Sequence, residues 1–166
     1  MPKLMGVVLL LALGTAASSC DFASERGRPI ATEAGWSTYH NSPHGFSISY
    51  PSTAALSLKN SGSEYEYLSV DIHDWEVGVE YPPRDFVPDS ASFVRHATIG
   101  SRANATEIGG VEAIHVHDNG TTESPAGDRY YVDLPRQLFI ISVVNPPNGV
   151  DTDVMARILN SISLDK

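Results

Sequence analysis

The segment LFIISVV, Leu138 to Val144, constrains the fold more than any other part of this 166-residue chain. Every residue but Ser142 is apolar, and Ile140, Ile141, Val143 and Val144 are β-branched. A strand apolar on both faces needs cover on both, so the segment predicts a central strand with material packed on either side. Its partner is the strand within DRYYVD (128–133), joined to it by a tight connection at Pro135-Arg136. The prolines of NPP (145–147) end the pair.

Other strands alternate with period two. FSISYP (46–51) sets Phe46, Ile48 and Tyr50 against Ser47 and Ser49, and AALSLKN (54–60) sets Leu56 and Leu58 on one face. EYLSVDIHDW (66–75) reads as one strand, with Leu68, Val70 and Ile72 on one side and Ser69, Asp71, His73 and Trp75 on the other. The three prolines of 81–89 predict a loop. ATEIGGVEAIHVHDNG (105–120) reads as a strand pair or bulged strand broken at Gly109-Gly110. Two segments have helical spacing. In 89–100, Asp89 or Ser90 is a cap and Gly100 a stop. In 151–164, Val154, Ile158 and Ile162 fall at four-residue steps and Met155 and Leu159 widen the stripe. The expected class is α+β, an antiparallel sheet with helices packed on it.

The N-terminus carries a different signal. Lys3 is followed by an apolar run, Leu4 to Leu13, and then by small residues up to Cys20. That is the pattern of a secretory signal peptide, and the run is shorter than the roughly 20 residues of a permanent membrane span. Cys20 is the single cysteine, so no internal disulfide is available to an exported chain. Ala17-Ser18-Ser19-Cys20 resembles the lipobox of bacterial lipoproteins, with Ala17 where Leu is usual. The resemblance implies cleavage before Cys20 and its acylation, with palmitate-like chains worth about 0.8 kcal/mol per buried CH₂. Asp21 resembles a signal for retention at the inner membrane. The expected organisation is a signal peptide over 1–19, a flexible tether over 20–35 and one domain over 36–166. It faces the periplasm or another extracytoplasmic part of the cell envelope.

Without residues 1–19 the chain loses Lys3 and no acid, leaving ten basic side chains against 20 acidic ones. Nucleic acid and anionic headgroups are therefore poor partners. The acids are scattered, as on a solvated surface.

HNSPHGFSISYPS, with Tyr39, Asn41, Gly45, Phe46, Ile48, Tyr50 and Pro51, resembles the opening motif of PsbP-like families, the extrinsic photosystem II proteins and related bacterial secreted proteins and lipoproteins. IGGVEAIHV, the YYV strand, the apolar strand and the terminal helix ILNSISL continue the match across about 36–164. The resemblance implies an αβα-type sandwich and no particular activity.

Chemistry-bearing constellations are few. His115 and His117, in IHVHD, lie on one face of a strand about 6.5–7 Å apart, a spacing that lets two imidazoles reach one ion. His73, opposite the apolar residues of its own run, is the third candidate ligand, for zinc or copper, since catalytic zinc commonly takes three protein ligands and water. The alternative is three exposed histidines on half-solvated strands. His40 and His44, both read as loop residues, and His96 on a helix are weaker candidates. Tyr65, Tyr67, Trp75, Tyr81, Tyr130 and Tyr131 offer either a binding rim or plain core and edge packing, with Arg129 and Arg136 bracketing one hairpin. No GxSxG, GxxxxGK[ST] or GxGxxG motif occurs. The sequence thus points to a lipid-anchored binding or assembly accessory for an envelope protein, without catalysis or cofactor. A metal-binding protein or metal-dependent enzyme built on His73, His115 and His117 is the alternative, and a small-ligand carrier with a pocket between sheet and helices is a third.

Overall fold

The computed structural model of the chain describes residues 30–59, 66–83, 90–97, 99, 102–120, 126–145 and 151–165. In chain order the elements are β1 (Ile30–Glu33), β2 (Trp36–Asn41), β3 (Phe46–Pro51), β4 (Ala55–Lys59), β5 (Tyr67–Ile72), β6 (Trp75–Glu80), α1 (Ser90–Ala97), β7 (Arg102–Ile108), β8 (Val111–Asp118), β9 (Gly127–Asp133), β10 (Leu138–Val144), α2 (Asp151–Ser161) and β11 (Ser163–Leu164). The strands form a seven-stranded sheet, β4-β5-β6-β10-β9-β8-β7, and a four-stranded one, β1-β2-β3-β11. Every pairing is antiparallel.

β10 takes the middle place in the larger sheet. Phe139, Ile141 and Val143 enter the main core, while Leu138 and Ile140 enter a smaller cluster with Val94 of α1, Val116 and Tyr131. One apolar strand thus serves two cores, as its composition requires. The main core also gathers Tyr39, Phe46, Ile48 and Tyr50 from the smaller sheet, Leu68, Val70, Val77 and Val79 from the larger one, and Ile158 and Leu159 from α2. Each such side chain, fully buried, contributes roughly 1.5–3 kcal/mol.

Gly45, at φ +65°, makes the turn from β2 into β3, a conformation that costs other residues strain. Gly109, in the β7–β8 turn, has φ +59° and lies so close to α2's end that a Cβ there would stand 2.7 Å from the Ile162 carbonyl oxygen. The turn thereby locks the β7–β8 hairpin to the C-terminal helix.

Two expectations change. Strands dominate, and the only helices among the described residues have 8 and 11 residues, so helix layers flanking a sheet give way to two sheets sharing a core. Among the described residues, pairing starts at β1, where Ile30 and Ala31 pair with Thr38 and Ser37. The run 66–75 is not one strand. Ile72 pairs with Trp75, so His73 and Asp74 form a two-residue turn and a new strand, β6, begins at Trp75. No helix among the described residues is long and apolar enough to cross a membrane.

Candidate functional site on β8 and β9

The β8–β9 ladder puts His115 opposite Tyr130 and His117 opposite Asp128. Residues directly opposite in a sheet share a face. Tyr130 and Asp128 in turn oppose Ile141 and Val143, so all four lie on the face that forms the main core. Along β8 that face is buried at Ala113, half-buried at His115 and exposed at His117. The hydrophobic face thus turns polar as the strand leaves the core.

Both imidazoles converge on one oxygen. His115 Nε2 lies 2.8 Å from Asp128 Oδ1, and His117 Nδ1 lies 2.9 Å from the same atom. A carboxylate only accepts, so the facing nitrogen of each ring carries the hydrogen and donates it. Side-chain exposure is 27% for His115 and 52% for His117, but 16% for Asp128, so the carboxylate sits beneath two rings that solvent reaches. The Tyr130 ring stacks on His115 with centroids 4.7 Å apart and planes 15° from parallel, which fixes the imidazole's orientation. Burial, and secondarily the charge of Asp128, pushes the Tyr130 hydroxyl above its ordinary pKa. Arg102 and Asn104 on β7 oppose His117 and His115 from the other side.

His73 does not join this group. It occupies the β5–β6 turn at φ +53°, and β10 and β9 intervene between β6 and β8. Three steps of 4.7–4.9 Å give a lateral offset of roughly 14 Å. Among the described residues, no group of three or more His, Cys, Asp or Glu stands ready to hold a metal ion. Of the weaker histidines, His40 is an exposed residue of β2, the His44 ring lies tilted against Tyr81 with centroids 4.1 Å apart, and His96 Nδ1–H donates to the Ser92 carbonyl at 2.8 Å.

The aromatic residues are mostly structural. Trp75, Tyr81 and Tyr131 are buried. Tyr81 packs 5.4 Å from Phe46, and its hydroxyl donates to Glu66 at 3.0 Å. Tyr67 and Tyr130 are half-buried, while Tyr65 lies outside the described residues. Arg129 Nη1 is 3.7 Å from Asp118 Oδ2, and Arg136 is exposed. Beside α1 an open groove of about 520 Å³ is lined by Val94, Arg95, Glu112, Ile114, Tyr131 and Asp133, among others. A carrier needs a concave pocket, and this groove is open to solvent.

Sequence reasoning found both histidines and missed Asp128. The alternation of Asp128, Tyr130 and Val132 shows which residues share a face. Which of them faces His117 depends on strand register, which is set by contacts distant in the chain. Cys20 and Asp21 lie outside the described residues.

No family model matches this sequence, and no curated protein matches it. Solved structures do match. One is the solution structure of cyanobacterial PsbP (CyanoP) from Synechocystis sp. PCC 6803, with a TM-score of 0.52 over 81% of this chain and 95% of that one. The fold is PsbP-like. At 14% identity the likeness is one of architecture. It agrees with the resemblance seen in HNSPHGFSISYPS, whose residues form the end of β2, the Gly45 turn and β3.

Proposed function

We propose that the PsbP-like domain is a lipid-anchored, extracytoplasmic accessory that binds or helps assemble an envelope protein and carries out no catalysis. The PsbP-like architecture, spanning nearly the whole length of the structure it resembles, carries this reading. Two sequence features add to it. Cys20 follows a signal-like apolar segment closed by small residues, and the net charge of −9 suits a surface that does not adhere to phosphates. The acyl chains hold the domain at the membrane, and residues between Cys20 and β1 set its reach.

The test combines metabolic labelling with membrane capture. Cells expressing the full chain are fed an alkynyl fatty acid, fractionated, and the protein is cross-linked in place before purification. Label on the wild type, its absence from Cys20→Ser, and release of that variant from the membrane fraction are expected, with a specific envelope protein cross-linked to the wild type. An unlabelled wild type that diffuses freely, or a deletion strain whose envelope complexes all remain intact, would sink the proposal.

A further inference from the structure

We propose that His115, His117 and Asp128 are the binding site for one divalent transition-metal ion of the zinc type. The inference is independent of the anchoring reading. It starts from the ligand set: two imidazoles on alternate residues of one strand, and a carboxylate on the neighbouring strand directly opposite the second. Imidazole and carboxylate together suit zinc and its neighbours.

Both rings meet Asp128 Oδ1 through hydrogen bonds, so the three side chains are neighbours that do not yet have the spacing of a metal site. Ligand atoms about 2.0–2.1 Å from a tetrahedral zinc stand roughly 3.3 Å apart. The two N···O separations of 2.8 and 2.9 Å therefore need to open by about half an ångström. His117, with half its side chain in solvent, moves at little cost and leaves the ion a route to the half-buried carboxylate. Solvent supplies the fourth ligand. Tyr130, stacked on His115, positions that ring without touching the ion. The chain's net negative charge favours a cation.

The proton balance is explicit. In the metal-free protein, Nε2–H of His115 and Nδ1–H of His117 donate to Asp128 Oδ1. Binding puts the ion where those hydrogens were. A neutral ring moves its proton to the other nitrogen, and a cationic ring releases one to solvent.

The experiment titrates the full-length, untagged, chelator-treated chain with Zn²⁺ by calorimetry, with Cys20→Ser in parallel so that no thiol is the ligand. One equivalent is expected to bind. His115→Ala, His117→Ala and Asp128→Asn each weaken it about tenfold or more, while His73→Ala leaves it unchanged. ¹⁵N spectra of the wild-type imidazoles are expected to show coordination through Nε2 of His115 and Nδ1 of His117. These spectra decide the matter even where an alanine variant fails to fold. Absence of a saturable Zn²⁺ heat, full affinity in the three variants, an equal loss in His73→Ala, or ring nitrogens unmoved by Zn²⁺ would each overturn the assignment.

Discussion

Glu80 shows how a single residue couples this sheet to pH. It ends β6 on the face opposite the main core, between Tyr67 of β5 and Ile140 of β10. Burial raises its pKa above the ordinary 4.5, the charge of Arg129 opposes the rise, and Glu76 adds to it. The native state therefore holds the proton more tightly than the unfolded chain does. That contribution to stability is fully present below the unfolded pKa and is lost as pH rises through the folded one. Glu80→Gln removes the titration and keeps the shape. Urea midpoints should show the variant more stable than wild type near pH 7, with the gap closing as the pH falls through the carboxylate range. A gap that widens on acidification would mean that the Arg129 attraction, not burial, dominates at Glu80.

At the scale of elements, legibility followed locality. LFIISVV, the terminal helix and the β3 alternation were readable because one short segment contains the whole pattern. The β5–β6 hairpin was not, because its turn is His73-Asp74 and lacks the glycine or asparagine-glycine pair that marks such turns. His73 takes the left-handed conformation itself, one that histidine adopts more readily than most residues. WEVGVE alternates as clearly as β3, but its strand was hidden behind that unmarked turn. The histidine pair was legible for the same local reason, and Asp128 was not because register is a long-range property. The join between α2 and β3 was equally invisible. Ser161 Oγ accepts from the Ser49 amide at 2.8 Å and reaches the carbonyls of Ile158 and Ser49 at 2.7 and 3.1 Å. Ser161→Ala strands a half-buried amide and should cost about 1–2 kcal/mol in chemical unfolding. Hydrogen exchange at Ser49 should accelerate well beyond that of its β3 neighbours. Uniform acceleration along β3 would show that the helix is held by packing alone.

For the whole molecule the question is whether two sheets make one cooperative unit. No strand of one sheet pairs with a strand of the other, so packed side chains carry most of the joining. The joining is extensive. Tyr39, Phe46, Ile48 and Tyr50 of the smaller sheet belong to the same buried cluster as Trp75, Val77, Val79 and Ile141 of the larger one. Phe46 meets Phe139 edge-on at 5.8 Å. Neither sheet keeps a covered apolar face without the other, so neither should persist alone. The two tryptophans report on them separately. Trp36 sits in β2, beneath the Arg157 guanidinium at 3.9 Å, and Trp75 is buried in β6. Trp36→Phe leaves fluorescence that reports the larger sheet, and Trp75→Phe leaves fluorescence that reports the smaller. In each single-tryptophan protein, the urea transition seen by fluorescence should coincide with that seen by far-ultraviolet circular dichroism, with one slope of about 1–3 kcal/mol/M. Each variant supplies its own reference, so a shift in overall stability does not blur the comparison. A fluorescence transition that precedes the dichroism in Trp75→Phe alone would mean that the smaller sheet and α2 peel away first, and the shared core would then be a contact between two units.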